Sequence, residues 1–202
     1  MGVKIEKKLM RERIWILMEE KGIAKFPLPC VGRIPNFEGS EKAAEKVRLL
    51  EEWRQAKVVL ANPDFAQKKI RENALKDGKF LVMASPRLKH GYISIEPKKV
   101  KGKEEFASTI RGAFKYGTEA KDIPKPDLIV TGCVAVDLNG HRLGKGHAYG
   151  DKEIRTIKTM FGEIPVVTTV HDIQIVDSVP FEPHDEKVDV IVTPTKIVRV
   201  KS

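Results

Sequence analysis

Between Asn139 and Asp151 the chain reads NGHRLGKGHAYGD. Gly144 and Gly146 let backbone come close to a ligand, and their N–H groups can turn toward an anion. Arg142 and Lys145 add fixed positive charge at the same point. His147 lies inside the stretch, within reach of a phosphate or a substrate. Asp151 offers the carboxylate with which a magnesium ion is held against phosphate oxygens. A long apolar run, DLIVTGCVAVD, precedes the stretch, and a helix-like segment, DKEIRTIKTMF, follows it. The stretch therefore reads as a glycine-rich turn between a buried strand and a helix, and the chemistry it suits is the cradling of a polyphosphate. No Ser or Thr follows Lys145, so it is not the G-x-x-x-x-G-K-[ST] loop, and Tyr149 stands where the third glycine of G-x-G-x-x-G would be. The plain alternative is an ordinary β-α turn with solvated charges; the strand before it and the acid after it favour phosphate.

The order Asp137, Arg142-Leu143-Gly144-Lys145-Gly146, an aromatic and Asp151 resembles the R-L-G-x-G-x-G-Y-Y-D signature of the 5-formyltetrahydrofolate cyclo-ligases, also called methenyltetrahydrofolate synthetases. Val179-Pro180-Phe181-Glu182-Pro183-His184-Asp185, followed by Val188-Asp189-Val190-Ile191-Val192-Thr193, resembles that family's closing P-x-E-x-H-D-x-x-V-D-x-I-x-T. Lys7-x-x-x-Arg11 near the N-terminus is a third match. Arg33-Ile34-Pro35-Asn36-Phe37 with Gly39 is similar to a sub-branch, the synthetase-domain-containing proteins. The chain departs from the signature where Ala148 replaces the third glycine and Gly150 the second tyrosine. The glutamate that the enzymes carry just before the second helix, used for the folate, has no clear equivalent, since Leu60-Ala61-Asn62-Pro63 occupies that region.

The resemblance implies an ATP- and magnesium-dependent ligase that converts 5-formyltetrahydrofolate to 5,10-methenyltetrahydrofolate, on a three-layer α/β fold of the NagB/RpiA/CoA-transferase type. It implies that Lys7 and Arg11 join residues 142 and 144–151 (Arg142, Gly144, Lys145, Gly146, His147, Ala148, Tyr149, Gly150, Asp151) around the nucleotide. Tyr149 and Arg87 are its substrate contacts, Arg87 following a strand in Pro86-Arg87 much as a Pro-Arg does in the family. Asp151 and Asp185 are expected to meet at one magnesium ion, which takes one or two carboxylates together with water and phosphate oxygens.

These residues need a scaffold, and 202 residues suit one domain with a proper core. A hydrophobic content of 41% and a charged content of 32% fit a soluble globular chain. No apolar run reaches the length that spans a bilayer, and MGVKIEKKLMRER is too charged for a secretory signal, so a cytoplasmic location is expected. Cys30 and Cys133 form neither a metal spacing nor a disulfide framework, and the five histidines show no paired metal spacing. A net charge of +9 points to an anionic ligand. A nucleotide- or RNA-binding protein on the same fold is the alternative function, although no aromatic-and-basic RNA motif is visible.

Residues 3 to 21 read as a helix with Ile5, Leu9 and Ile16 on one side and with Lys7 and Arg11 one turn apart. Residues 26 to 39 read as an ordered loop packed on the core, from which Arg33 or Asn36 can reach the site. Ser40 is expected to cap a helix running to Gln55 with Val47 and Leu50 inward. Asn62-Pro63 reads as the start of a helix ending at Gly78. Strands are expected at 57–61, 80–84, 92–95, 165–170, 173–176, 188–192 and 197–200, and helices at 104–116 and after Asp151. The alternation of strands and helices argues for a mostly parallel sheet covered on both faces.

Overall fold

The computed structural model describes residues 2–201. Helix α1 (Val3–Glu20) leads into a two-stranded ribbon, β1 (Ala24–Lys25) and β2 (Asn36–Phe37), and then α2 (Ser40–Val47) and α3 (Glu51–Gln55). Strand β3 (Val58–Ala61), helix α4 (Lys68–Lys76) and strand β4 (Phe80–Ala84) form a parallel crossover. There follow β5 (Tyr92–Ile95), α5 (Glu104–Ala107), α6 (Ile110–Tyr116), β6 (Thr118–Ala120) and β7 (Leu128–Thr131). A small hairpin of β8 (Ala135–Val136) and β9 (Arg142–Leu143) precedes α7 (Tyr149–Phe161). Strands β10 (Val166–Thr169), β11 (Val190–Val192) and β12 (Ile197–Arg199) end the chain.

Eight strands make the main sheet in the order β12-β11-β10-β7-β3-β4-β5-β6. The five central strands are parallel to one another, and β12, β5 and β6 pair antiparallel at the edges. Side chains along the central strands alternate between two apolar clusters, as the period of two requires. Val59, Leu81, Met83, Leu128, Val130 and Val167 pack with α1 to α6, while Leu60, Val82, Ile129, Val166 and Ile191 pack with Ile154 and Ile157 of α7. The result is the three-layer, mostly parallel α/β arrangement that the alternating pattern implied. After β4 the chain returns to the other side of β3, so β3 and β7 are the neighbours at which strand order reverses. Their following loops leave a crevice at the carboxyl ends of the strands, where open α/β sheets take ligands.

Several elements depart from the sequence expectation. Ile5, Leu9 and Ile16 do share a side of α1, but it faces solvent; the packed side carries Lys7, Ile14, Trp15 and Met18. Lys7 is drawn inward by two acids, which apolar spacing cannot register. The expected helix from Ser40 to Gln55 breaks at Leu50, whose backbone is extended and lets Trp53 enter the core beside Val47 and Leu50. Gly39, in the left-handed region, rather than Ser40 precedes its first turn. The helix from 104 to 116 likewise divides, at Ser108–Thr109, where the Thr109 hydroxyl caps the second part. Residues 173–176 give a 3-10 turn and a single bridge from Ile175 to Val136 instead of a strand.

The segment at Asn62-Pro63 is not yet helical; a 3-10 turn begins at Phe65 and α4 at Lys68. The reason is Arg71. Its buried guanidinium donates to the carbonyls of Ser108, Asn62 and Asp64 at 2.8, 2.6 and 2.8 Å, holding residues 62–64 as a loop over the crevice. Among the described residues, no helix is long and apolar enough to cross a membrane. Replacing Arg71 with Met strips three buried carbonyls of a charged donor and is expected to cost about 3 kcal/mol or more, read as a lower urea midpoint with an unchanged slope.

Candidate functional site

The apolar run before the glycine-rich stretch is not one strand. It breaks at Gly132, where an added Cβ would lie 2.5 Å from Ile34 Cγ2 and 2.8 Å from Gln67 Oε1. The chain then folds into the β8–β9 hairpin, so the first residues of the expected cradle belong to the hairpin turn. Asp137 organises that turn: its carboxylate accepts from the N–H groups of Asn139, His141 and Val179. Only residues 144–148 form the loop proper, and α7 starts at Tyr149.

That loop borders a cavity of about 450 Å³ at the crevice between β3 and β7. Its walls include Arg142, Gly144, Lys145 and residues 147–151 from the predicted set, Arg87 after β4, and Arg33 from the early loop. Asn36 turns away; its amide donates to the Phe26 carbonyl at 2.9 Å. Lys7, Arg11, Gly146 and Asp185 stand beside the cavity, tied to the loop or the acids. Arg11 Nε donates to the Gly144 carbonyl at 2.7 Å and its guanidinium lies 3.7 Å from where a Gly146 side chain would begin. The buried Arg142 guanidinium donates to Asp151 at 3.0 Å. A Cβ on Gly150 would stand 2.7 Å from Arg142 Nη2, so the departure from tyrosine at that position leaves room for the arginine. Ala148 sits at φ 56°, the left-handed region in which glycine carries no penalty.

The two expected metal acids lie on neighbouring segments, but Asp151 is not part of the group of ligand atoms that gathers around Asp185. Asp151 accepts from the backbone N–H of Glu186, the residue after Asp185, at 3.0 Å. Asp185 in turn groups with Glu182 and His184, one ligand atom of each lying within 4.8 Å of the others. Lys7 Nζ spans this group, 2.5 Å from Asp185 and 3.0 Å from Glu182. Burial opposes the charge on Lys7, but its bonds to Asp185 and Glu182 prevail and hold its pKa above the usual value. For Asp185, burial works against ionisation, and the Lys7 bond with the Glu182 N–H carries its carboxyl below the usual range. The carboxylates of Glu182 and Asp185 suit a hard cation such as magnesium; histidine at the third position suits it less.

Two cavity acids escaped the sequence reading. Asp64 fills the region where no folate-side carboxylate was expected, 3.7 Å from Lys145 Nζ. Burial raises its pKa against the opposing pull of Lys145 and Arg71. Its neighbour Pro63 was read as a helix start, which hid it. Glu153, 6% exposed, lines the cavity from the second turn of α7. Burial pushes its carboxyl up to about 8, the charge on Asp64 adds to the rise, and Arg142 opposes it. A glutamate in a segment read only as helix-like carries no sequence signal of burial.

Comparison with known proteins identifies the family. A model of the "5-formyltetrahydrofolate cyclo-ligase family" matches residues 3–194. The chain therefore belongs to the 5-formyltetrahydrofolate cyclo-ligase family. It is 39% identical over 206 residues to a methenyltetrahydrofolate synthase domain-containing protein of Bos taurus, covering 96% of this chain and 54% of that one. The Mus musculus protein of the same description is 38% identical, with 96% and 55% covered. The chain thus spans about half the length of the curated relatives it matches. An NMR structure of Aquifex aeolicus 5,10-methenyltetrahydrofolate synthetase shares the fold, with a TM-score of 0.61, 20% identity and coverage of 100% and 94% of the two chains.

Ala148→Gly is expected to stabilise the protein by about 0.5–1 kcal/mol, the left-handed penalty outweighing the entropy gained by the unfolded chain; denaturant titration reads the gain. Glu153→Gln carries a sign that pH reveals. From the ordinary 4.5 to about 8 the unfolded chain has released a proton that folded Glu153 retains, so this group erodes wild-type stability as pH rises through that window. The variant's melting temperature is expected to gain on wild type from pH 5 to pH 8, and a constant difference would refute the burial.

Proposed function

We propose that this chain is an ATP- and magnesium-dependent ligase that closes 5-formyltetrahydrofolate to 5,10-methenyltetrahydrofolate. The observation that carries the reading is the joining of three distant segments, Lys7 and Arg11, the 142–151 loop, and Glu182–Asp185, around one crevice. A loop carrying two glycines, Lys145 and the N-terminal turn of α7 supplies what phosphate oxygens require. The formyl oxygen attacks the γ-phosphorus of ATP and ADP leaves. The N10 nitrogen then attacks the activated carbon, loses its proton, and phosphate departs with the former formyl oxygen. A formyl oxygen is a poor leaving group until phosphorylated, and the transfer asks of the protein positioning and charge rather than a nucleophile. Arg142 and Lys145 hold the phosphates, Lys7 and Arg11 support them from α1, and Arg87, Tyr149 and Asp64 face the folate. Asp151 and Asp185 would hold magnesium, which neutralises phosphate charge when bound.

Pure protein with ATP, magnesium and 5-formyltetrahydrofolate is expected to develop the absorbance of the methenyl product, and to need all three. Lys145→Ala should weaken ATP binding in calorimetry by about tenfold, a charged contact of this kind being worth 1.5–3 kcal/mol; unchanged binding removes the loop from the site. Asp151→Asn and Asp185→Asn should each lose the magnesium-dependent part of ATP affinity, and the double variant little more than either, because both act on one ion. Salt-sensitive RNA binding without ATP turnover would instead select the nucleic-acid alternative.

A further inference from the structure

Phe181 is 51% exposed, yet its ring lies flat on the His141 imidazole, with centroids 3.8 Å apart and planes within 6° of parallel. Both rings stand outside the cavity walls. The imidazole is fixed at its edge, because His141 Nδ1 lies 3.2 Å from the buried Asp137 carboxylate, which also accepts from the His141 backbone N–H. The chain on either side of Phe181 is tied to the same hairpin turn. Before it, the Val179 N–H donates to Asp137 at 2.9 Å. After it, the Val188 N–H donates to the Gly140 carbonyl at 2.9 Å, and Lys187 forms an antiparallel bridge with His141.

Residues 180–186 span the gap between these ties, and Phe181 is the one large apolar side chain among them. The next residue, Glu182, accepts from Lys7 Nζ at 3.0 Å and shares with Asp185 the task of drawing Lys7 inward. One turn along α1 from Lys7, Arg11 donates to the Gly144 carbonyl. A half-exposed ring contributes little by burial, but a flat stack on an immobilised partner restricts the backbone that carries it. That backbone is the one from which Glu182 reaches Lys7.

We infer that Phe181, held by His141, is a positioning residue: it fixes Glu182 where it receives Lys7, and through Lys7 it sets how α1 presents Arg11 to the 144–148 loop. Phe181 touches no reacting group in this role. That Lys7 and Arg11 then meet phosphate rests on the reading proposed above. If the ring merely covered the hairpin turn, its removal would register in stability and not at Lys7.

Lys7 reports on the arrangement without any ligand. Acylation needs a free, neutral amine, and Lys7 is both buried and held above its usual pKa by Asp185 and Glu182. The full chain is treated with trace acetic anhydride at fixed pH, and mass spectrometry compares the rate at Lys7 with that at the exposed Lys8. Phe181→Leu keeps apolar bulk and loses the flat stack. It is expected to speed Lys7 relative to Lys8 by about two- to fivefold, the scale of a partly exposed ion pair. Phe181→Tyr should restore the wild-type ratio, and both variants should melt within about 2 °C of wild type, as substitutions of half-exposed residues do. ATP affinity in calorimetry is expected to fall in Phe181→Leu by a similar factor and to return in Phe181→Tyr. An unchanged Lys7 ratio in Phe181→Leu overturns the assignment. A rise shared equally by the other lysines, with a lower melting temperature, overturns it too, since the ring would then serve the fold as a whole. Faster Lys7 acylation with undiminished ATP affinity removes the link from Phe181 to the loop. A Lys7 response in a wild type that binds no ATP sustains the positioning of Lys7 and sinks the nucleotide reading alone.

Discussion

Between β3 and β7 the order of the parallel strands reverses, and the chains leaving those two strands must part. The crevice between them cannot be filled by either loop without breaking the ladder that joins Val59, Leu60 and Ala61 to Leu128, Ile129 and Val130. Every part of the candidate site depends on that gap. Asn62–Phe65 borders it from β3, the segment after Ala84 from β4, and the long excursion through the β8–β9 hairpin closes it from β7. Arg71, reaching from α4, keeps the first of these loops from continuing into helix and so leaves Asp64 facing inward.

Several cations of the site are paired with acids, while Arg33 and Arg87 on its walls are not among the ion pairs of the described residues. Arg142 meets Asp151, Lys145 meets Asp64, and Lys7 meets both Asp185 and Glu182. Under the proposed function, phosphate arriving here would exchange partners with these acids, and a cation arriving with it would neutralise the carboxylates so released. Such an arrangement holds long side chains in place before a ligand is bound. Under the same reading it would also be selective, because an anion without a cation would leave the displaced acids unpaired.

Backbone geometry explains how the signature can drift without losing the loop. Gly146 adopts φ 113°, which other residues rarely reach, and Arg11 packs beside it. At Ala148 the smallest side chain tolerates the left-handed region at a modest penalty. Gly150 has an ordinary reason of space, since Arg142 occupies the volume a side chain would need. The departures at 148 and 150 thus accompany a helix entrance built around a buried guanidinium.

By itself the sequence determined the layers and much of the cradle. Apolar runs such as Val58–Ala61 and Phe80–Ala84 are long enough, and separated by enough helix, to form only a parallel crossover, and local spacing suffices for that. The glycines and basic residues of 142–146 are adjacent in the chain, so the proposed phosphate cradle can be read there. Asp151 and Asp185 were legible as acids in loops; that Asp151 takes the N–H of Glu186 is a product of folding. Breaks at Leu50 and Ser108, by contrast, contain no glycine or proline and arise because Trp53 and the 3-10 and helical turns beside them must fit the core. The outward stripe of Ile5, Leu9 and Ile16 misled for a related reason: α1 is oriented by ion pairs from Lys7 and a carbonyl bond from Arg11 as much as by apolar area. Asp64 and Glu153 became site residues only in three dimensions, because burial of a carboxyl depends on what the sheet brings across from β9 and from the loop after β3, and nothing in the residues beside them encodes it.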